Sequence, residues 1–141
     1  MNSTTAELIE KRYGKLKVYP DGFSMGSMGG EPIIQSKPWG GEVWVVVQEK
    51  YAMKHIVVEA SKRFSLQKHT KKEETWYIVS GSPIIVLGEK KFQAKKGDVI
   101  HVSPGTAHRM EAGSSDVEFF EVSTGFDDLW DITRLEDDYG R

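Results

Sequence analysis

The chain has 141 residues, of which 28% are charged, and its formal net charge is −2. A chain of this length fits one domain that folds alone, and the near-balance of charge argues against a general nucleic-acid binder, which carries a basic excess. The absence of cysteine excludes disulfides, thiolate catalysis and cysteine-ligated zinc. The apolar runs are too short to span a bilayer, and the N-terminus lacks the pattern of a signal peptide. We therefore expect a cytoplasmic protein whose partners are neither membranes nor nucleic acids.

The first part of the chain, residues 1–36, is predicted to be an N-terminal arm. Residues 5–12 favour one or two helical turns behind a Ser/Thr cap. Residues 21–31 are rich in Gly, Ser and Met, and they predict a loop because Gly-rich chain gains little from ordering. The domain itself is expected to cover residues 37–141.

From residue 42 onward, short runs of Val, Ile, Phe, Trp and Tyr are separated by Gly, Pro, Asp and Lys clusters. The runs recur roughly every eight to twelve residues, a spacing typical of an all-β sandwich or barrel. The tail at 126–136 favours an added helical turn. Lysine pairs at 71–72, 90–91 and 95–96 are predicted to lie in turns and to keep the protein soluble. Strands are predicted at residues 42–48, 53–59, 63–68, 74–80, 83–87, 91–94, 99–102, 107–112 and 117–123.

Four polar residues are candidates for a metal site. Gln67 and His69 point to the same side of a strand, because side chains alternate along it. Glu74 opens the next strand, which antiparallel pairing brings near His69, and His108 arrives from a later strand after a Pro-Gly turn. One amide, two imidazoles and a carboxylate suit a single divalent ion such as Zn, Mn, Fe, Co or Ni. The alternatives are a hydrogen-bonded polar cluster without metal, and for Gln67 a packing role.

The spacing of these residues resembles the two sequence motifs of the cupin superfamily. Ala60 stands where the first motif opens with Gly, Gln67 stands where it has its first His, and Ser103 replaces a Pro of the second motif. The resemblance implies a cupin double-stranded β-helix, an all-β jelly-roll barrel. The positions that match the motifs are His69, Glu74, Gly81, Gly97, Gly105 and His108.

A closer resemblance is to the C-terminal cupin domain of type II phosphomannose isomerases, over residues 37–141. It implies a metal-dependent aldose–ketose isomerase, with mannose 6-phosphate as the family's substrate. Gln67 is usual in that family. The chain departs from it where Lys37 replaces Arg, where a cluster of histidines is reduced to His69, and where Thr75 precedes Trp76. The matching segments are Lys37-Pro38-Trp39-Gly40, Phe64-Ser65-Leu66-Gln67, Ile78-Val79-Ser80-Gly81, Gly105-Thr106-Ala107-His108-Arg109 and the ending from Asp127 to Arg141.

An isomerase of this kind needs a base near the metal and cations for a phosphate. The candidates for catalytic groups are Glu111, His101 and Arg134, with His55 as a further possibility. Glu111 has the opposite strand parity to His108 and is therefore at risk of facing away. His55 and His101 also fit purely structural roles. The candidates for binding the phosphate are Lys37, Arg109, Arg134 and Arg141.

Two other functions fit the same residues. One is a non-catalytic sugar-binding or regulatory cupin, which the reduced histidine cluster favours. The other is a different metal-dependent cupin enzyme such as a dioxygenase, since a fold does not fix a function. By analogy with other cupins we expect a homodimer, and the apolar side chains of Phe64 and Leu66 are the predicted interface.

Overall fold

The structure is a computed structural model that describes residues 1–23, 31–126, 128 and 130–141. The described residues form one helix, α1 (Ser3–Tyr13), and twelve strands in two sheets. The larger sheet has the order β1-β2-β3-β4-β11-β6-β9, with β1 at Val18–Tyr19, β2 at Ile33–Lys37, β3 at Gly40–Val47, β4 at Tyr51–Val58, β6 at Glu73–Ser80, β9 at Val99–Val102 and β11 at Val117–Thr124. The smaller sheet has the order β12-β5-β10-β7-β8, with β5 at Leu66–Lys68, β7 at Ile84–Leu87, β8 at Lys90–Gln93, β10 at His108–Glu111 and β12 at Thr133–Glu136.

The hydrophobic core lies between the two sheets. All strand pairs are antiparallel except β1 with β2. The core joins inward side chains of the larger sheet, such as Trp76, Ile78 and Phe119, to Ile85 and Met110 of the smaller one. This packing of two sheets confirms the predicted all-β jelly-roll fold.

Strand alternation decides which side chains of the larger sheet reach the interior. Along β6, Glu74, Trp76 and Ile78 are buried, whereas Thr75 and Tyr77 between them are exposed. A sheet that packs on one face and meets solvent on the other produces this pattern. The interior of the molecule is therefore lined by every second residue, including the polar ones.

The nine strands predicted from the sequence are all present, with ends that differ by up to three residues. Strands β1, β2 and β12 were not predicted. The tail expectation is wrong for Thr133–Glu136, which is a strand rather than a helical turn, while residues 127 and 129 lie outside the described part. All four residues of β12 are exposed, so no apolar alternation marks this strand. It forms by pairing with β5 at the sheet edge.

Helix α1 packs on the outer face of the larger sheet. Ile9 is fully buried and contacts Ile34 and Val43 of that face. The start of the helix is held by Glu59, whose Oε1 accepts from the Asn2 amide at 2.6 Å and from Thr5 Oγ1 at 3.1 Å. Strand β2 crosses the predicted boundary at residue 37 and pairs with β3 along its whole length. No helix among the described residues is long and apolar enough to cross a membrane.

A motif glycine has a clear steric reason. Gly81 has φ +92, which L side chains rarely adopt, and a Cβ there would lie 2.7 Å from the carbonyl oxygen of Asp116. The turn after β6 is thus open only to glycine. Phe64, which was expected at a subunit interface, is instead buried in the core beside Trp39 and Trp76. This corrects the predicted interface role of Phe64, whereas Leu66 is half-buried and its role in an interface stays a prediction.

The docking of α1 is tested by Ile9→Ala. Removing a fully buried isoleucine side chain leaves a cavity, so we expect the free energy of unfolding to fall by about 2–5 kcal/mol. Chemical denaturation measures the change. The matched control is Glu7→Ala on the exposed side of the same helix, which should change stability by less than about 0.5 kcal/mol. Equal effects of the two substitutions would contradict the docking.

Candidate metal centre

Three of the predicted ligands come together between the two sheets. His69 follows β5, His108 begins β10 in the same sheet, and Glu74 lies on the inner face of β6 in the opposite sheet. All three are at least 97% buried. Their ligand atoms lie within 4.8 Å of one another. The sequence prediction that these residues converge is therefore confirmed.

The backbone sets the tautomer of both imidazoles. Nδ1 of His69 lies 2.6 Å from the carbonyl oxygen of Asp131, and Nδ1 of His108 lies 2.9 Å from that of Thr106. A carbonyl only accepts, so each Nδ1 carries the proton and donates it. In the neutral ring Nε2 then presents a lone pair. Burial lowers the pKa of His108, more than Glu74 raises it, which favours this neutral form.

The two lone pairs have no donor to meet. His69 Nε2 and His108 Nε2 are buried and make no hydrogen bond among the described residues. They instead face the Glu74 carboxylate, with His69 Nε2 2.9 Å from Oε1 and His108 Nε2 3.7 Å from Oε2. Burial raises the pKa of Glu74, but the nearby Lys72 ammonium is among the groups that hold it below its usual range. Buried acceptors facing a carboxylate are costly unless a cation lies between them, so these residues fit a divalent metal ion.

Gln67 lies beside this group. It is the Cα partner of His108 across the β5–β10 ladder, and it lines the same pocket. Its Oε1 accepts from Ser65 Oγ at 2.7 Å. The placement is compatible with a ligand or with a group that orients water. Ligation by Gln67 stays a prediction.

Asp131, which the sequence analysis did not single out, holds the loop after β5 that follows His69. Its carboxylate accepts from the backbone amides of Thr70 and Lys71, both at 2.8 Å. These hydrogen bonds lower the pKa of Asp131 to about 2. Its carbonyl also fixes the His69 ring. The tail thus positions a ligand that lies more than sixty residues earlier in the chain.

His69 and Glu74 line a pocket of about 80 Å³ that opens to solvent, and His108 lies behind them, 3.7 Å from Glu74. The walls of the pocket carry Trp39, Ile56 and Phe64 beside many charged side chains, more than the few polar groups of most small-molecule pockets. Among the described residues, five cationic side chains and three carboxylates line it. They are Lys37, Lys54, Lys72, Arg134 and Arg141, and Glu42, Glu74 and Glu121. The pocket is therefore cationic in a chain whose net charge is −2.

A buried ion network forms one wall of this pocket. Lys54 Nζ lies 3.6 Å from both Glu42 Oε2 and Glu121 Oε1, and 4.1 Å above the Trp44 ring. The two carboxylates raise the pKa of Lys54 despite its burial, so it stays an ammonium. Strand parity was the sequence signal for this network. Lys54 lies two residues before buried Ile56, and Glu121 lies two residues after buried Phe119, so each shares a strand face with a core residue.

Lys72 differs most from its predicted role. We expected a solvent-exposed turn lysine, but Lys72 is 5% exposed, and its Nζ lies 3.4 Å from Glu74 Oε1. It shares parity with Glu74 two residues later, which was the available signal. The ammonium group therefore gives the buried carboxylate a cationic partner.

Three candidate bases lie outside the pocket, which corrects the expectation that any of them serves it. His101 is on the outer face of β9, half-exposed, with Nε2 3.4 Å from Glu73. Glu111 pairs with Arg63 at 3.1 Å in a separate surface depression. His55 lies under α1, between Tyr13 and Glu118. Strand parity places His101 and His55 on outer faces, and Glu111 lies at the opposite end of β10 from His108.

The cations predicted to bind phosphate divide into two groups. Lys37, Arg134 and Arg141 line the pocket. Arg109 does not: it is buried, Nε donates to the carbonyl of Phe64 at 3.0 Å, and its other nitrogens bind Glu136. Arg109 therefore fastens β12 to the rest of the smaller sheet. It does not line the pocket, which corrects the expectation that it binds the phosphate.

Comparison with known proteins agrees with this architecture. Residues 33–137 match the family described as mannose-6-phosphate isomerase C-terminal. The chain is 34% identical over 107 residues to the alginate biosynthesis protein AlgA of Pseudomonas aeruginosa, covering 74% of this chain and 22% of that protein. It is 28% identical over 107 residues to the mannose-1-phosphate guanylyltransferase ManC of Salmonella typhimurium, again covering 74% and 22%.

Solved structures give the same fold at lower identity. A Klebsiella pneumoniae protein with a double-stranded β-helix domain superposes with a TM-score of 0.60 at 20% identity, covering 82% of this chain and 96% of that one. This likeness concerns the fold alone. The chain spans about a fifth of the length of the curated relatives named above. With 105 of its residues matched, from 33 to 137, the chain belongs to the mannose-6-phosphate isomerase C-terminal family of cupins.

Proposed function

We propose that the chain is a metal-dependent aldose–ketose isomerase of a sugar phosphate, with mannose 6-phosphate as the first candidate substrate. The observation that carries this is the buried set of His69, Glu74 and His108 next to a cationic pocket. The family description and the names of AlgA and ManC point to mannose-phosphate chemistry, and they support the choice of substrate.

The residues that would hold the metal are His69 and His108, through Nε2, and the Glu74 carboxylate, with Gln67 as the candidate fourth ligand. A bound divalent ion supplies Lewis acidity, which stabilises negative charge on a substrate oxygen. The protein fixes its ligands beforehand: the Asp131 and Thr106 carbonyls hold the rings, and the indole of Trp76 donates to Glu74 Oε2 at 2.9 Å. Such outer contacts orient ligands and raise their basicity.

The phosphate would be bound at the pocket wall that carries Arg134 and Arg141. Arg134 is exposed and has no ion-pair partner among the described residues. Arg141 is held by Asp137 at 2.9 Å and by Asp21 at 3.4 Å. Lys37 shares Asp21 with it, at 2.9 Å. Arginine forks suit phosphate oxygens, and Trp39 and Phe64 line the same pocket.

A non-catalytic sugar-binding cupin is the second candidate, and one observation favours it. Lys72 Nζ is 3.4 Å from Glu74 Oε1, so a protein cation already accompanies the carboxylate. Metal binding must therefore compete with that ammonium group. If Lys72 prevails, the pocket still binds an anionic sugar but lacks the Lewis acid.

Metal binding is tested by elemental analysis and by titration of the chelator-treated protein with Mn²⁺ or Zn²⁺. We expect about one ion per chain, and affinity at least 100-fold weaker in His108→Ala, since even outer contacts are worth roughly 10–100-fold. His101→Ala is the matched control because that imidazole is on the outer face, and it should bind as the parent does. An unchanged affinity in His108→Ala contradicts the site.

Turnover is tested with a coupled assay over a panel of aldose and ketose phosphates. The proposal predicts isomerisation that stops when a chelator removes the metal and returns when the metal is restored. The isomerase is contradicted if the metal-loaded protein binds mannose 6-phosphate without converting it. The sugar-binding alternative is supported if that binding persists after a chelator removes the metal. Failure to bind any sugar phosphate contradicts both candidates.

Phosphate recognition is tested by Arg134→Ala and Arg141→Ala. Losing a charge-assisted hydrogen bond worth about 1.5–3 kcal/mol should raise KM for the phosphorylated sugar by about ten-fold or more, with a smaller effect on kcat. Arg12→Ala is the control, because that arginine pairs with Glu118 on the outer face and should leave KM unchanged. If neither pocket variant changes KM, these arginines do not bind the substrate.

A further inference from the structure

The proposed isomerisation needs a base, and the candidates predicted from the sequence lie outside the pocket. The pocket contains two carboxylates besides Glu74, on the inner faces of the larger sheet: Glu42 on β3 and Glu121 on β11. The histidines of the pocket are occupied as proposed ligands, and Lys54 stays an ammonium between its two carboxylates. The base is therefore sought between Glu42 and Glu121.

Position in the sheet separates the two. Strand β11 is hydrogen-bonded to β6, which carries Glu74, whereas β3 is separated from β6 by β4 and β11. Glu121 is the Cα partner of Trp76, and the residue two further along β11, Ser123, is the partner of Glu74. Glu121 and Glu74 are thus diagonal neighbours on one face, with Cβ atoms roughly 7–8 Å apart or less in such pairs. Both carboxylates line the same pocket.

The contacts of Glu121 also leave one oxygen available. Lys54 Nζ at 3.6 Å and Ser123 Oγ at 3.1 Å both approach Oε1. No hydrogen bond to Oε2 is found within the described ranges, and the residue lines the pocket. By contrast, Glu42 lies near two ammonium groups, Lys54 at 3.6 Å and Lys37 at 4.0 Å. Glu121 is therefore the carboxylate that is held through Oε1, while its Oε2 accepts no hydrogen bond from the described residues.

Resting on the proposed isomerase function, we propose that Glu121 is the catalytic base that carries the proton between C1 and C2 of the sugar phosphate, and that Lys54 positions it. The electrostatics agree with this assignment. Burial raises the pKa of Glu121, with Lys54 opposing. The pKa of Glu42 is instead lowered by its two lysines. A carboxyl with a raised pKa is closer to the working pH and gives and takes a proton more readily.

The step balances without a further reactant. Glu121 takes the proton from C2 of the open-chain aldose, and the C2–H electron pair forms the C1=C2 bond while the C1=O π pair moves to O1. One proton passes from O2 to O1, the O2 electron pair forms the ketone at C2, and the C1=C2 pair takes the proton back from Glu121 at C1. Nothing is oxidised or reduced overall, and Glu121 ends as the carboxylate that began.

The test compares Glu121→Gln, Glu121→Asp and the control Glu118→Gln. Glu118 is on the same strand but on its outer face, paired with His55 and Arg12, so Glu118→Gln should keep kcat within about two-fold. General-base loss typically costs 10²–10⁴-fold, so Glu121→Gln should lose at least 100-fold in kcat while metal content and substrate Kd stay within about three-fold. Glu121→Asp, which keeps the charge and shortens the reach, should recover part of that loss.

The outcomes separate this proposal from the one on which it rests. An active parent and a metal-loaded, substrate-binding Glu121→Gln with kcat within ten-fold of it overturn Glu121 as the base and leave the isomerase intact. A parent that converts no sugar phosphate overturns the isomerase, and the assignment with it. If Glu121→Gln fails to fold, Glu121→Asp decides: a folded Asp variant with the parent's kcat overturns the proposal, and a reduced kcat at unchanged Kd supports it.

Discussion

The whole arrangement depends on one electrostatic constraint: two imidazole lone pairs and a carboxylate are buried together. The backbone carbonyls of Asp131 and Thr106 accept hydrogen bonds from Nδ1–H of His69 and His108, and thereby direct Nε2 of each ring towards Glu74. Acceptors that face each other in a low-dielectric interior repel. A cation relieves the repulsion, and the surrounding pocket, which is positive, favours an anionic ligand beside it.

The C-terminal segment is part of this site rather than an appendage. Asp131 fixes both the loop after β5 and the His69 ring, and Arg109 fastens β12 through Glu136. Arg134 and Arg141, from the same segment, reach the pocket wall. One stretch of chain therefore orients a proposed metal ligand and supplies the cations proposed to bind a phosphate. This coupling gives a physical reason for the family resemblance of the tail.

Sequence reasoning predicted the parts of the molecule that local spacing controls. The alternation of Gln67 with His69, the strand start at Glu74 and the turn before His108 are local features, and the fold confirms that the three ionisable ligands converge. The β strands with apolar alternation were found for the same reason. Strand β12 was missed because it is exposed throughout and forms only by pairing with β5.

The functions of the other charged residues depended on long-range register. Strand parity already indicated that Glu111 faces away from His108. No local sequence feature, however, shows that Arg109 binds Glu136 or that His101 meets solvent. In the sequence, Lys72 and Glu121 resemble ordinary turn and strand residues. The pairing of β11 with β6 brings both of them to one pocket. Charges buried by tertiary pairing are therefore the ones that sequence reasoning missed.

The most direct measurement of the central claim is an anomalous-scattering crystal structure of the protein grown with Mn²⁺. The account predicts one anomalous peak per chain at about 2.0–2.3 Å from Nε2 of His69, Nε2 of His108 and an oxygen of Glu74, with Lys72 displaced from the carboxylate. An interior without a peak, in which the Lys72 ammonium alone pairs with Glu74 at saturating Mn²⁺, would contradict it.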